Sequence, residues 1–290
     1  MILSLLAAAS CLLAIAAPAP PVITTPVVPG APSSGAARRS DLHQQAALDA
    51  FRPRNPEPDI AVRDVKFDHV RSVFKNVHDS VKVALPVNGV TIERVEATCT
   101  FKCFHFGMTG SAIAVRDAVL KGAGPKAYSN GAQIEGQAHD VLFERVIASG
   151  FTSTEPAGYT NADGFVTERG TFNITFRHAQ ALDNTDGGFD LKSTNTLLDY
   201  TYAARNRRNY RLWGSGRGTT LVSDSPRDAH VWLAGTADYV IDRLVAKGPG
   251  VLVKGEAGAK LEIRSCDLTG WTGTKKVAGG GAAVVLGVGC

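Results

Sequence analysis

Short segments in which apolar and polar residues alternate recur along most of the chain. Such alternation is typical of β-strands with one buried face. The segments recur every 20 to 33 residues, and their central apolar residues are Phe67, Ile92, Val115, Phe143, Phe176, Leu198, Leu221 and Ile241. Several continue through turn residues into a second short strand, for example 188–191. A unit of this size cannot bury the inner face of its strands alone, so neighbouring units must stack.

This repeat predicts an all-β fold, a right-handed parallel β-helix (a solenoid) of roughly ten rungs. An antiparallel sandwich would not keep one register through so many units, and the Leu and Asn ladder of leucine-rich repeats is missing. In residues 40–51, a polar residue precedes a run of spaced apolar positions, which predicts a helix that caps the N-terminal end. Residues 151–164 fall in the longest interval and indicate an insertion on one face.

Composition agrees with a fold rich in turns. The 290 residues include 30 Gly and 14 Pro, and Gly is costly inside helices but useful in turns. An apolar fraction of 44% can fill a core, and a charged fraction of 20% excludes general disorder, collagen and coiled coils. The net charge of +4 favours a polyanionic partner only weakly.

The N-terminal segment resembles an export signal. Residues 2–16 form an uncharged apolar run that ends in small residues and is too short to span a membrane. We therefore expect a secretory signal peptide at 1–17, a Pro/Ala/Ser-rich spacer at 18–39 and a single β-helix domain at 40–290. This organisation predicts a secreted or periplasmic monomer without a membrane span.

Four cysteines remain after the expected cleavage: Cys99, Cys103, Cys266 and Cys290. An oxidising compartment permits disulfides, with three pairings that the sequence leaves open. A bond between Cys266 and Cys290 would hold the Gly-rich tail, whereas free buried thiols are the alternative. No His stands at zinc-like spacing from these cysteines, so a metal–thiolate site is not expected.

Three of the second strands align by their glycines and aromatic residues, at 163–168, 187–192 and 209–213. Because side chains alternate across a strand, one set of positions points inward, and we expect Phe165, Phe189 and Tyr210 to stack there. The residues that follow them, Val166, Asp190 and Arg211, would then form an outward column. Since parallel strands lie about 4.8 Å apart, Asp190 and Arg211 are predicted neighbours on an exposed sheet.

Two further carboxylates precede these strands, because Asp163 and Asp186 stand at the turns before them. Asp186 is four residues from Asp190, and Asp163 lies one rung back, so the three carboxylates can converge. A cluster of oxygen ligands suits calcium. The alternative is that Asp163 and Asp186 are turn residues that bond their own backbone, as Asp-Gly often does.

Three segments of these strands carry a recognisable motif: Asn161-Ala162-Asp163-Gly164-Phe165, Asp186-Gly187-Gly188-Phe189-Asp190-Leu191-Lys192 and Asn209-Tyr210-Arg211-Leu212-Trp213-Gly214. Together they resemble the core of the β-helical pectate lyases of the ninth polysaccharide-lyase family. The resemblance covers about 50 residues closely. It implies Asp163, Asp186 and Asp190 as calcium ligands. The chain departs from the family at two positions, because Gly187 stands where a fourth acidic ligand is expected and Arg211 where a lysine base is expected.

The resemblance implies calcium-assisted β-elimination on a uronic-acid polymer, pectate or polygalacturonate above others, with Arg211 as the base. Arginine is almost always protonated, which makes it a poor base at neutral pH, although other β-helical pectate lyases use one. The alternative role for Arg211 is an anchor for a substrate carboxylate. Substrate binding is assigned to Lys192, Arg205, Arg208 and Trp213, since guanidinium groups match carboxylates and an indole can carry a sugar ring.

Two other functions compete with this interpretation. Polygalacturonase-like hydrolases share the segment Asn161-Ala162-Asp163, but this chain lacks their paired Asp, Gly-His-Gly and Arg-x-Lys segments. Hydrolysis with inversion also needs separate acid and base carboxylates. A non-catalytic carbohydrate-binding or surface β-helix is the rival of another class. An acidic polysaccharide is the expected partner, and the five arginines between 205 and 217 alone do not argue for nucleic acid. The sequence does not choose the polymer, nor endo over exo cleavage.

Overall fold

A computed structural model describes residues 60–78, 83–84, 87–154 and 161–290. The expected signal peptide, spacer and capping helix lie outside the described residues and stay predictions. The described strands, numbered in chain order, are β1 Ile60–Val70, β2 Phe74–Lys75, β3 Val77–His78, β4 Val83–Ala84, β5 Asn88–Cys99, β6 Lys102–Phe106, β7 Ser111–Arg116, β8 Val119–Gly122, β9 Ser129–Ile134, β10 His139–Glu144, β11 Ile147–Ser149, β12 Ala162–Thr167, β13 Phe172–Arg177, β14 Gln180–Leu182, β15 Gly187–Leu191, β16 Thr194–Asp199, β17 Thr201–Ala204, β18 Arg208–Leu212, β19 Ser215–Asp224, β20 Ala229–Leu233, β21 Asp238–Gly248, β22 Val251–Gly255, β23 Lys260–Trp271, β24 Val277–Ala278 and β25 Ala283–Val288.

The strands form two long parallel sheets and one small antiparallel pair. The nine-stranded sheet runs in the order β2-β6-β9-β12-β15-β18-β20-β22-β24. The fourteen-stranded sheet contains two ladders, β7-β10-β13-β16 and β8-β11-β14-β17, which the long strands β5 and β19 join because each of them pairs in both ladders. Strands β3 and β4 form the antiparallel pair.

Between β7 and β18, the chain visits the three ladders in a fixed cyclic order, and every pairing between successive visits is parallel. The fold is therefore all-β with extended parallel sheets, which is consistent with a parallel β-helix. No helix occurs in the described residues. In the same part of the chain, no helix is long and apolar enough to cross a membrane.

The core lies between the sheets and contains a stack of aromatic rings. Phe165 on β12, Phe189 on β15 and Tyr210 on β18 are paired in register and fully buried, as predicted. The ring centroids of Phe165 and Phe189 lie 5.1 Å apart, and those of Phe189 and Tyr210 lie 5.3 Å apart. Stacked rings at this spacing add to the free energy of apolar burial. The stack fixes which residues of these strands point outward.

The repeat markers align with two exceptions. Ile92, Val115, Phe143, Phe176 and Leu198 pair in one continuous register. The next two positions in that ladder are Gly218 and Ile241. The residue equivalent to the other markers is therefore Gly218, three residues before the predicted Leu221. At the other end, Val62 pairs with Ile92 and Phe67 pairs with Ala97. The two exceptions, Phe67 and Leu221, lie in the long strands β1 and β19. In these strands the alternation of apolar residues runs on beyond one ladder, so more than one apolar residue fits the repeat.

The bends between ladders are made by single residues in the left-handed region. Asp117 and Arg145 have φ angles of 52° and 53°, and His178 and Tyr200 have φ angles of 50° and 54° at the same bend of later turns. Arg145 donates to both carboxylate oxygens of Asp117, at 2.6 and 3.0 Å. The rings of His178 and Tyr200 lie 5.5 Å apart, so these two residues also contact each other across successive turns.

The four cysteines form two disulfides. Cys99 pairs with Cys103, and Cys266 pairs with Cys290. The second bond joins β23 to the last residue of the chain across a sequence separation of 24. It therefore holds β25 and the Gly-rich tail against the preceding strand, as the sequence suggested.

We expect the two disulfides to contribute unequally to stability. Replacing Cys266 and Cys290 by Ser should lower the free energy of unfolding by roughly 3 kcal/mol, because the bond closes a long loop, and the matched Cys99→Ser, Cys103→Ser variant should lose less. Urea unfolding followed by circular dichroism measures both. Equal losses would contradict the loop-length argument.

Candidate functional site

The outward face of the nine-stranded sheet carries a column of aligned side chains. Gln133 on β9 pairs in register with Val166, Val166 with Asp190, Asp190 with Arg211, and Arg211 with Trp232 on β20. The predicted neighbours Asp190 and Arg211 are thus confirmed as neighbours. Because strand spacing is about 4.8 Å, each side chain in this column contacts those of the turns before and after it.

Buried asparagines fix the turns that precede this column. The side-chain oxygen of Asn206 accepts hydrogen bonds from the backbone N–H and the side-chain amide of Asn184, at 3.0 and 2.9 Å. The Asn206 amide in turn donates to the Asn209 side chain at 3.0 Å. Asn184 and Asn206 are fully buried. This row of hydrogen-bonded asparagines therefore fixes the backbone beside Asp186 and Arg208. The sequence alone did not predict it.

Asp163 is buried beside a backbone amide rather than in an open ligand position. Its Oδ1 accepts a hydrogen bond from the backbone N–H of Gly187. A Cβ at position 187 would lie 2.8 Å from that oxygen, so a side chain there requires Asp163 to move. Burial, together with the negative charges of Asp190 and Asp186, raises the pKa of Asp163 well above its ordinary value. The three carboxylates do converge, as predicted.

Two arginines neutralise Asp186. Its Oδ1 lies 3.0 Å from Nη1 of Arg208, and its Oδ2 lies 3.1 Å from Nη1 of Arg211. Burial raises the pKa of Asp186, and the positive charges of Arg211 and Arg208 oppose that rise. Burial lowers the pKa of Arg208. Both oxygens of Asp186 therefore face cations of the protein itself.

Asp190 is bound in a similar way. Its Oδ1 accepts a hydrogen bond of 2.6 Å from the indole N–H of Trp213. Its Oδ2 lies 3.5 Å from both Arg211 and Lys192. The Lys192 ammonium also contacts Glu168 at 2.8 Å. Burial opposes the charge on Lys192, but Asp190 and Glu168 outweigh it, so the pKa of Lys192 lies above its ordinary value.

The expectation of an exposed charged sheet was wrong. Asp190 is 3% exposed, and the Arg211 side chain is 17% exposed. The guanidinium carbon of Arg211 lies 4.8 Å from the Trp213 ring and 5.2 Å from the Trp232 ring. Cation–π contacts with the two indoles and ion pairing with Asp190 therefore shield Arg211 from solvent. Trp213 packs against Trp232, with centroids 5.2 Å apart, and its indole N–H is engaged. The sugar platform proposed for Trp213 stays a prediction.

The fit of calcium to this cluster is poor. Asp186 and Asp190 use their oxygens on cations and an indole, and Asp163 accepts from a backbone amide. Ca²⁺ takes 6–8 oxygen ligands, and here the neutralising charges come from arginine and lysine instead. Within the described ranges, no group of three or more His, Cys, Asp or Glu side chains is arranged to hold a metal ion. Calcium binding stays a prediction, and we derive no step through it.

Two other predicted participants lie away from the cluster. Arg205 donates to both oxygens of Asp183 at 2.6 and 2.7 Å, in an exposed pair at the bend that follows β14 and β17. Both residues have left-handed φ angles, which carries their side chains onto the corner of the coil. Arg217 lies in the other sheet and pairs with Asp242. The five arginines thus do not form one patch.

A groove of about 360 Å³ opens beside the charged column. It extends over β6, β9, β12 and β15, toward the N-terminal end of the coil. Of the predicted site residues, Asp190 and Lys192 line it. Asn161, Val166 and Glu168 of the motif strand also line it. The other lining residues, which the sequence did not predict, are Val77, Phe101, Lys102, His105, Tyr128, Asn130, Gln133 and Glu135.

Hydrogen bonds between polar side chains hold the floor of this groove. The Asn130 amide donates to Gln133 at 3.1 Å, and the Gln133 amide donates to Oε2 of Glu135 at 2.7 Å. The other oxygen of Glu135 lies 3.1 Å from Nε2 of His105. Asn130 also accepts from the backbone N–H of Asp163, which links the floor to the acidic cluster. A rigid polar floor of this kind suits a ligand with many hydroxyl groups.

No protein-family model, curated protein or solved structure matches the chain. The resemblance to pectate lyases therefore stays a prediction that rests on the motifs alone.

Asp163 and Asp186 should respond differently to neutralisation. Asp163→Asn should raise the free energy of unfolding at about pH 8, because the amide keeps the bond from Gly187 and removes a disfavoured buried charge. The raised native pKa means that stability falls as pH rises from the unfolded value. The gain from Asp163→Asn should therefore vanish near about pH 4.

Asp186→Asn is the matched comparison and should lower the free energy of unfolding by roughly 3 kcal/mol, since it removes the carboxylate that two partly buried arginines share. Urea unfolding at both pH values measures the pair of variants. Equal losses for Asp163→Asn and Asp186→Asn would contradict the assignment of charges.

Proposed function

We propose that the protein is a right-handed parallel β-helix of roughly ten rungs that binds a uronic-acid polymer and cleaves it by β-elimination. The observation that carries this proposal is the groove, where two lysines and a hydrogen-bonded polar floor adjoin the column that resembles the pectate-lyase motif. Pectate or polygalacturonate is the first substrate to test. A secreted or periplasmic location would place the protein where such polymers occur.

The position of the lysines supports an anionic chain as the ligand. Lys102 belongs to β6 and Lys192 directly follows β15, three strands further along the sheet. Their backbones are therefore roughly 14 Å apart along the coil axis. This separation suits the carboxylates of different sugars along a chain better than one carboxylate. Tyr128 and Phe101 at the rim add ring surfaces for sugar stacking.

The reaction needs positive charge at the substrate carboxylate and a group that accepts the C5 proton. Loss of that proton and departure of the O4 oxygen leave a double bond between C4 and C5. Positive charge near the carboxylate stabilises the electron pair that develops beside it. Lys192 can supply this charge, since its raised pKa keeps it protonated.

Arg211 as the base stays a prediction, but its contacts support another role. It lies 3.1 Å from Asp186 and 3.5 Å from Asp190, and both carboxylates favour the protonated guanidinium. Arg211 is not among the described residues that line the groove. We propose that Arg211, with Arg208, neutralises Asp186 and Asp190 and so holds the acidic cluster in place beside the groove.

An assay of products tests the proposed function. Incubation with polygalacturonate, alginate and other uronate polymers should produce unsaturated uronides, which absorb ultraviolet light because the new double bond is conjugated with the carboxylate. New reducing ends without this absorbance would indicate hydrolysis. Binding without either product would indicate a carbohydrate-binding protein.

A chelator separates the proposal from the calcium prediction. We expect activity to survive EDTA, because the protein's own cations already occupy the carboxylates. Activity that disappears with EDTA and returns with Ca²⁺ would show that Asp163, Asp186 and Asp190 rearrange around a metal. The measurement is the initial rate of absorbance increase with and without the chelator.

A further inference from the structure

The groove contains a carboxylate that a buried histidine holds in place. Glu135 directly follows β9, and its Oε1 lies 3.1 Å from Nε2 of His105. The side chain of His105 is 3% exposed, whereas that of Glu135 is 29% exposed. The imidazole therefore lies behind the carboxylate, and the carboxylate faces the groove.

A hydrogen bond and a close contact with an imidazole hold Glu135 in place. Gln133 donates to Oε2 at 2.7 Å, and the His105 ring contacts Oε1. An ionised carboxylate has about four acceptor sites, so these two contacts leave acceptor capacity on both oxygens. A group that is held from one side and accessible from the other is suited to proton transfer with a bound ligand.

The surroundings of Glu135 keep it in the form that accepts a proton. Burial opposes its ionisation, but the contact with His105 and the positive charge of Lys102 outweigh burial, so the pKa of Glu135 lies below its ordinary value. Glu135 is consequently ionised at neutral pH. Lys192 and the arginines of the column are protonated under the same conditions.

The other two groove carboxylates are engaged by ammonium or guanidinium groups. Glu168 contacts the Lys192 ammonium at 2.8 Å. Asp190 is bound by Trp213, Arg211 and Lys192. Glu135 differs because its hydrogen-bond partners are an imidazole and an amide. A proton that reaches Glu135 therefore breaks no ion pair with lysine or arginine.

We propose that Glu135 is the catalytic proton acceptor of the elimination and that His105 is its positioning residue. The proposal rests on the proposed function. The C5–H bond of the uronate breaks and its proton forms an O–H bond on Glu135. The electron pair forms the C4–C5 double bond, the C4–O4 bond breaks, and the leaving oxygen takes a proton from water. Glu135 then returns its proton to solvent.

Glu135→Gln tests the catalytic role, because it keeps the shape and removes the basic oxygen. We expect kcat for the release of unsaturated product to fall at least about 100-fold, with KM within a few-fold of the parent value. Glu262→Gln is the matched control, since Glu262 lies on β23 in the other sheet and pairs with Arg264. It should leave kcat and KM unchanged.

His105 variants test the positioning role. His105→Gln can still donate to Glu135 and should retain more activity than His105→Ala, with both effects in kcat and little change in KM. A loss of the same size in both variants, or a change confined to KM, would contradict positioning through the hydrogen bond. Circular dichroism and urea unfolding report whether each variant is folded.

Glu135→Asp provides a second route if Glu135→Gln does not fold. It keeps the charge but withdraws the carboxylate by one methylene, so kcat should fall in a folded protein. If the unaltered protein releases no unsaturated product from any uronate polymer, the proposed function itself is wrong. If it does, and folded Glu135→Gln or Glu135→Asp keeps kcat within about tenfold, Glu135 is not the proton acceptor.

Discussion

Parallel backbone pairing between successive turns is the constraint on which the rest of this structure depends. It places each residue about 4.8 Å from the residue at the same position of the next turn. Like side chains can then stack, as Phe165, Phe189 and Tyr210 do in the core. Like charges at the same spacing would repel, so a charged column requires alternating signs. The pairing of Asp190 with Arg211 follows that rule.

The same constraint explains how the protein's own cations reach the acidic cluster. Arg208 and Arg211 come from the turn after Asp186 and reach back to its two oxygens. Lys192 comes from the same turn as Asp190 and bridges to Glu168 on the previous one. Gly187 completes the arrangement, because only a residue without Cβ brings its backbone N–H so close to Asp163. The two departures from the pectate-lyase motif, Gly187 and Arg211, are therefore parts of one arrangement.

Much of the central column could be predicted from sequence, because strand alternation and a repeated glycine and aromatic pattern fix both register and direction. The same rules failed where the chain bends. Asp183 and Arg205 have charges that suit the cluster, yet their left-handed backbone turns them onto the corner, where they bind each other. The groove escaped prediction for another reason. Lys102, His105 and Glu135 belong to turns without the recognisable motif, and only the three-dimensional register brings them beside Lys192.

The arrangement separates two tasks that would interfere if one group performed both. A base surrounded by carboxylates becomes easier to protonate, and a guanidinium between two aspartates gives up its proton with difficulty. Arg211 is in that position. Glu135 lies three turns away from it, because Asp190 and Val166 separate Arg211 from Gln133 on the turn that carries Glu135. Positive charge is concentrated at the Arg208, Arg211 and Lys192 end, and the carboxylate with imidazole support lies at the His105 end. In the proposed reaction, Lys192 would contact the carboxylate of a sugar in the groove, and Glu135 would accept its proton.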